Sequence, residues 1–91
     1  MYIMTLNDVI FIEQYPKLDL HGYDRETARV AVLDFINENK KLRQEIFVIV
    51  HGIGNGILRE TVKQVLSRNR HVLEFKTYYY NNGCTIVRIS L

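Results

Sequence analysis

Ile46-Phe47-Val48-Ile49-Val50, followed at once by His51-Gly52-Ile53-Gly54-Asn55-Gly56, is the stretch on which the reading of the fold turns. An unbroken apolar run rich in β-branched residues predicts a central strand covered on both faces. The glycines let the chain turn sharply. From about residue 57 to residue 69 the period changes: Leu58, Val62, Val65 and Leu66 form one helical stripe, with Arg59, Lys63 and Arg68 away from it. Strand, glycine loop and helix together begin a parallel crossover unit.

The same unit is legible upstream. Residues 18–21 read as a short strand with Leu18 and Leu20 on one side, Asp19 and His21 on the other, and Gly22 ending the run. Asp24 is a good helix N-cap, and Ala28, Ala31, Val32, Phe35 and Ile36 recur at helical spacing up to about Lys40. Downstream, residues 72–80 predict a third strand, Asn81-Asn82-Gly83 a hairpin turn, and residues 85–91 a fourth strand with Val87, Ile89 and Leu91 on one face.

The order is β-α-β-α-β-β. Parallel crossovers are right-handed, so strands that advance in one direction place both helices on one face of the sheet. The expected architecture is a two-layer α/β sandwich with a mixed four-stranded sheet, residues 17–91 forming the domain and 1–16 an N-terminal extension. Such a sheet has an open face, to which either Phe47 and Ile49 or Ile46 and Val48 must point. Two candidates could cover it: the N-terminal segment with Val9, Ile10, Phe11 and Ile12, or a second copy of the chain in a homodimer.

Composition sets the class. A chain of 91 residues with 47% hydrophobic and 24% charged residues suits one folded domain with one core. A net charge of +2 and a pI near 8.8 are too mild to decide for or against nucleic acid. Cys84 has no partner for an internal disulfide, and no cysteine pair has zinc-ligand spacing, which fits a reducing cytosol. The first fifteen residues lack a basic leader, a long apolar run and a small-residue cleavage site, so neither a signal peptide nor contact with a membrane is expected.

Ligands of parallel crossover units gather beyond the carboxyl ends of the strands. Both histidine motifs fall there, Asp19 and His21 closing the first strand and His51 with its glycines closing the second. Residues without Cβ let backbone N–H groups approach a phosphate, and Gly52, Gly54 and Gly56 open a helix whose N-terminus favours an anion. The spacing departs from dinucleotide and P-loop fingerprints, which favours a nucleic-acid phosphate over a bound nucleotide. Arg59, one turn into the helix, could grip that phosphate with its planar fork. Two histidines titrating near neutrality suit general acid and base work, with Asp19 fixing a tautomer or raising a pKa. No acidic cluster for two metals is legible. No cofactor is expected, and a divalent-metal requirement stays open.

Leu18-Asp19-Leu20-His21-Gly22 resembles the LDxHG motif of Smr (small MutS-related) domains, and His51-Gly52-Ile53-Gly54-Asn55-Gly56-Ile57-Leu58-Arg59 resembles their HGxGxGxLR loop. Residues 17–91 are covered, and the two motifs stand in the family's order and separation. Asn81-Asn82-Gly83-Cys84-Thr85-Ile86-Val87 is poorer in glycine than the family's usual segment before its T-x-V strand. The resemblance implies a fold akin to the C-terminal domain of bacterial translation initiation factor three, and DNA-nicking or RNA-cleaving endonuclease activity. It maps the family's motif residues onto Asp19, His21, His51, Gly52 and Gly54. The partner so implied is RNA or DNA. A non-catalytic nucleic-acid binding module using the same glycine loop is the alternative, and a dimeric interaction domain a third reading.

Bland readings weigh on the remaining signals. His71, at a helix end beside Arg68 and Arg70, reads as a cap or surface group and stays outside the site. Arg25 and Arg29 read as a solvated helix face. Tyr78-Tyr79-Tyr80 could stack bases, and serves equally well as core plus sheet surface.

Overall fold

The structure, a computed structural model, describes residues 5–9 and 11–91. A 3-10 helix at Leu6–Asp8 precedes β1 (Lys17–Asp19), α1 (Arg25–Lys41), β2 (Ile46–Val50), α2 (Ile57–Arg68), β3 (Val72–Tyr78) and β4 (Asn81–Ile89). The chain is an α/β protein with two helices and a mixed four-stranded sheet. No helix among the described residues is long and apolar enough to cross a membrane.

The sheet order is β1-β2-β4-β3, with β1 parallel to β2 and β4 antiparallel to both of its neighbours. β1, β2 and β3 therefore advance in one direction, with β4 inserted between the last two. α1 starts where Asp24 accepts the Thr27 N–H at 2.8 Å, a bond that holds the Asp24 carboxyl below its ordinary pKa. Both helices pack on the same face. Ala28, Val32 and Ile36 of α1 and Val62 and Leu66 of α2 bury themselves against Leu20, Phe47, Ile49, Val87 and Ile89. Phe35 meets Phe47 edge to face at 5.1 Å.

Ile46, Val48 and Ile86 point to the opposite face, where Leu6, Val9, Ile12 and Tyr15 of the N-terminal segment cover them. Polar ties hold that segment down. The Leu6 N–H donates to Glu74 Oε1 at 2.6 Å, Lys76 Nζ to Asn7 Oδ1 at 3.0 Å, and Lys17 Nζ to the Ile12 carbonyl at 2.7 Å. The Leu6 bond, then the neighbouring Arg88, keep the Glu74 carboxyl below its ordinary pKa. The chain thus covers its own open face, and the alternative cover, a second copy of the chain in a homodimer, is not supported. Of the four residues named for this cover, Val9 is buried, Ile12 half-buried and Phe11 exposed, while Ile10 lies outside the described residues.

Two elements differ from expectation: β1 stops at Asp19 instead of running to His21, and the hairpin turns earlier than Asn81. The hairpin turn is Tyr79-Tyr80, not Asn81-Asn82-Gly83, because Tyr78 pairs directly with Asn81. Thr77 then pairs with Thr85, so residues 82–84 of β4 have no partner on β3. The Asn-Asn-Gly chemistry forms a local kink instead: Asn81 Oδ1 accepts the Gly83 N–H at 2.8 Å. That kink aims the Gly83 carbonyl at β2.

Candidate functional site

The ends of β1 and β2 are locked together. Asp19 is the register partner of Val50, and the Leu20 N–H donates to the Val50 carbonyl at 2.9 Å. His21 and His51 each follow immediately on a residue of that bond, and so leave adjacent strands at one end of the sheet. β1 stops at Asp19, so the alternation that would place His21 beside it stops too. His21 lies instead in a turn closed by the Tyr23 N–H on the Leu20 carbonyl at 3.0 Å, with Gly22 at φ 80°. The Asp19 carboxylate accepts the backbone N–H of His21 at 2.9 Å. It orients His21 through the main chain, and the His21 ring is exposed with no side-chain partner among the described residues.

His51 has the opposite environment. It is buried, with 7% of its surface exposed, on the helix side of the sheet. Nδ1 lies 2.8 Å from the Gly52 carbonyl and Nε2 lies 2.9 Å from Thr85 Oγ1. A carbonyl only accepts, so Nδ1 carries the proton and Nε2 accepts from the Thr85 hydroxyl. Burial lowers the pKa of His51, the Gly52 carbonyl opposes this, and the nearby charge of Arg59 lowers it further. The ring is neutral at pH 7. Asp19, by register with Val50 and Cys84, belongs to the other sheet face. Asp19 and His51 thus flank the strand ends from opposite sides.

The glycine loop is held from β4. The Gly83 carbonyl accepts both the His51 N–H at 2.9 Å and the Gly52 N–H at 3.0 Å. A Cβ on Gly83 would lie 3.1 Å from Asn81 Oδ1 and 3.2 Å from Gly52 Cα, tighter than ordinary contact, so any larger residue must push its neighbours aside. Gly52, Gly54 and Gly56 all have positive φ. Gly56 is the N-cap of α2 and offers no side-chain cap, while the Ile57 N–H bonds Asn55 Oδ1 at 3.1 Å.

Arg59 extends from the first turn of α2 toward β3, where its Nη2 meets Thr77 Oγ1 at 3.4 Å. Beneath it a groove of about 480 Å³ runs between α2 and β3, lined by Gly56, Arg59, Lys63, Lys76, Thr77 and Thr85 among others. Glu60 is the one acidic residue on its wall. Thr85 lines this groove and bonds His51, so the buried ring reaches the groove through a hydroxyl. Thr77, Gly83 and Thr85 were not picked out by the sequence reading. A threonine continuing the inward stripe of Val87 and Ile89 was the available signal for Thr85.

His71 stands at the start of β3, the far end of the sheet, where its N–H bonds Asn69 Oδ1 and its carbonyl accepts from Ser90. Cys84 is buried, and burial raises the pKa of its thiol. Among the described residues no three His, Cys, Asp or Glu side chains are grouped to hold a metal ion.

Fold and strand-end motifs together define an α/β domain of the small MutS-related class. The Smr domain family profile matches residues 18–90, and the chain belongs to that family. Endonuclease MutS2 of Streptococcus suis is 39% identical over 74 residues, which cover 78% of this chain and 10% of that protein. The chain therefore spans about a tenth of the length of such relatives. The Smr domain of Thermus thermophilus MutS2 superimposes with a TM-score of 0.81 at 25% identity, covering 84% of this chain and 99% of that one. YdaL, a stand-alone small MutS-related protein from Escherichia coli, shares the fold with a TM-score of 0.77 at 22% identity, covering 87% and 70%.

Proposed function

We propose that this domain is a nucleic-acid endonuclease whose working end is the pair of strand termini carrying Asp19, His21 and His51. One observation carries the reading: the bond from the Leu20 N–H to the Val50 carbonyl closes the β1–β2 pairing one residue before each histidine, beside a glycine loop that opens a helix. His21, exposed and positioned by Asp19 through the backbone, exchanges protons with the substrate. His51, neutral and buried, enters through the Thr85 hydroxyl. The Gly52 N–H is taken by the Gly83 carbonyl, so of the three glycines Gly54 and Gly56, together with the positive end of α2 and the Arg59 guanidinium, receive the phosphate.

The chemistry favours RNA. There the 2′-hydroxyl attacks the adjacent phosphorus as a base takes its proton, and the P–O5′ bond breaks as an acid supplies a proton to the leaving oxygen. One base and one acid balance the reaction. DNA nicking needs an activated water in place of the 2′-hydroxyl. End-labelled RNA, the same strand with 2′-deoxyribose throughout and supercoiled DNA, each with Mg²⁺ and with chelator, separate these cases. Cleavage of the ribose strand with a 2′,3′-cyclic phosphate end is expected. Nicking of DNA with the RNA left intact would overturn the substrate assignment.

One observation favours a second reading, a binding module without turnover: both ring nitrogens of His51 are already bonded within the chain. That reading expects tight binding of the same strands with no product under any condition.

A further inference from the structure

We infer that Tyr79 and Tyr80, at the tip of the β3–β4 hairpin, form a stacking platform for unpaired bases of the strand whose phosphates the glycine loop receives. This rests on the nucleic-acid reading above and adds to it a second contact of different chemistry.

The three consecutive tyrosines have separate fates. Tyr78 packs into the core beneath the N-terminal segment, whereas Tyr79 and Tyr80 are 83% and 68% exposed. Two-residue hairpin loops favour Asn-Gly or Gly-containing pairs with positive φ. Among the described residues only Arg43 and glycines have positive φ, so this turn is built on two tyrosines in ordinary backbone conformations. Neither ring is needed to make the turn. The rings of Tyr79 and Tyr80 stand edge to face at 5.0 Å and 84°, and Tyr80 also meets Tyr78 at 5.6 Å. Such mutual support holds large aromatic faces toward solvent with few rotatable bonds to order.

Placement ties the platform to the site. β3 and β2 run the same way, so Tyr79 and Tyr80 project from the end of the sheet that carries His51 and the glycine loop. Lys76 lines both the basic α2–β3 groove and a smaller hollow of about 230 Å³ beside the two tyrosines. The groove lies on the helix side of the sheet and the hollow on the other, and they meet at Lys76 on the edge strand β3. A strand rounding that edge would find cationic and hydroxyl groups for its phosphates and aromatic faces for its bases, the combination that single-strand binding uses. Asn7, Lys76, Asn81 and Asn82 are exposed beside the rings, and Lys76 supplies the cation that a phosphodiester backbone calls for, which favours a nucleic-acid strand as the occupant. A duplex offers no free base faces in its interior, so the ligand is a single-stranded or looped segment.

The test is the affinity of a labelled single-stranded RNA for the full chain, measured by anisotropy. Tyr79→Phe with Tyr80→Phe keeps both π-faces and is expected to bind as wild type. Tyr79→Leu with Tyr80→Leu keeps bulk without them and is expected to weaken binding about tenfold or more. An abasic strand of equal length should bind wild type as weakly as the native strand binds the Leu pair. Melting temperatures of both variants check that the fold persists, and the Phe pair keeps the comparison meaningful if the Leu pair is less stable. Equal affinity of wild type and the Leu pair, or of native and abasic strands, overturns the platform while leaving the endonuclease reading standing. If wild type binds no strand even at low salt, the nucleic-acid reading fails first and the platform with it.

Discussion

Burial of His51 fixes the sign of a pH dependence. Its pKa lies below the ordinary 6.5, so under mild acid an unfolded chain takes up a proton that the folded ring resists. Stability is at its full value above about pH 6.5 and is lost as the pH falls through that value toward the folded pKa. The urea midpoint should therefore drop between pH 7 and pH 5.5, and drop less steeply in His51→Gln. An identical slope in the variant would contradict the buried neutral ring. Thr85→Val removes the partner of His51 Nε2 and should cost about 1–3 kcal/mol, whereas Thr85→Ser keeps the hydroxyl and most of the stability. At this scale the histidines, Asp19 and the glycines were legible, because motif spacing and strand ends are sequence properties. The separation of their environments was not. The burial of His51 depends on Gly83 and Thr85, 32 and 34 residues further along and on another strand, and the exposure of His21 on the turn that ends β1.

The elements divide by how local their causes are. β2 matches its expected bounds because its five apolar residues are mostly β-branched and run without a break, α1 follows its Asp24 cap and its stripe, and α2 follows its stripe from a glycine N-cap. The hairpin does not: Asn81-Asn82-Gly83 suits a turn, yet β4 must hold its register against β2, with Cys84 opposite Val50, and the turn moves to Tyr79-Tyr80. Gly83→Ala would press a Cβ against the backbone of Gly52, which cannot yield like a side chain. A loss of about 1–3 kcal/mol is expected, read as a lowered melting temperature. The N-terminal cover makes a similar claim. Leu6 is 2% exposed over the sheet, so Leu6→Ala should cost about 2–3 kcal/mol by chemical denaturation. A change within a few tenths would mean that the segment does not cover the sheet in solution.

Across the whole molecule, a net charge of +2 carries little information by itself, and its distribution carries more. Arg59, Lys63 and Lys76 gather at one groove beside the strand ends, so binding of nucleic acid should weaken steeply with salt through counterion release. A salt-insensitive affinity would point away from a phosphate grip. The overall fold was legible because alternating strand and helix patterns admit few windings, while the closing of the open face by the chain itself needed the structure, where Glu74, Lys76 and Lys17 anchor the N-terminal segment. In the proposed chemistry this end of the sheet cuts a phosphodiester with His21 as the accessible proton carrier. The direct measurement is single-turnover cleavage of end-labelled RNA by wild type and His21→Ala, with binding of the same strand measured in parallel. Undiminished binding with cleavage reduced by about 100-fold or more is the predicted result; identical products at identical rates from both proteins would contradict it.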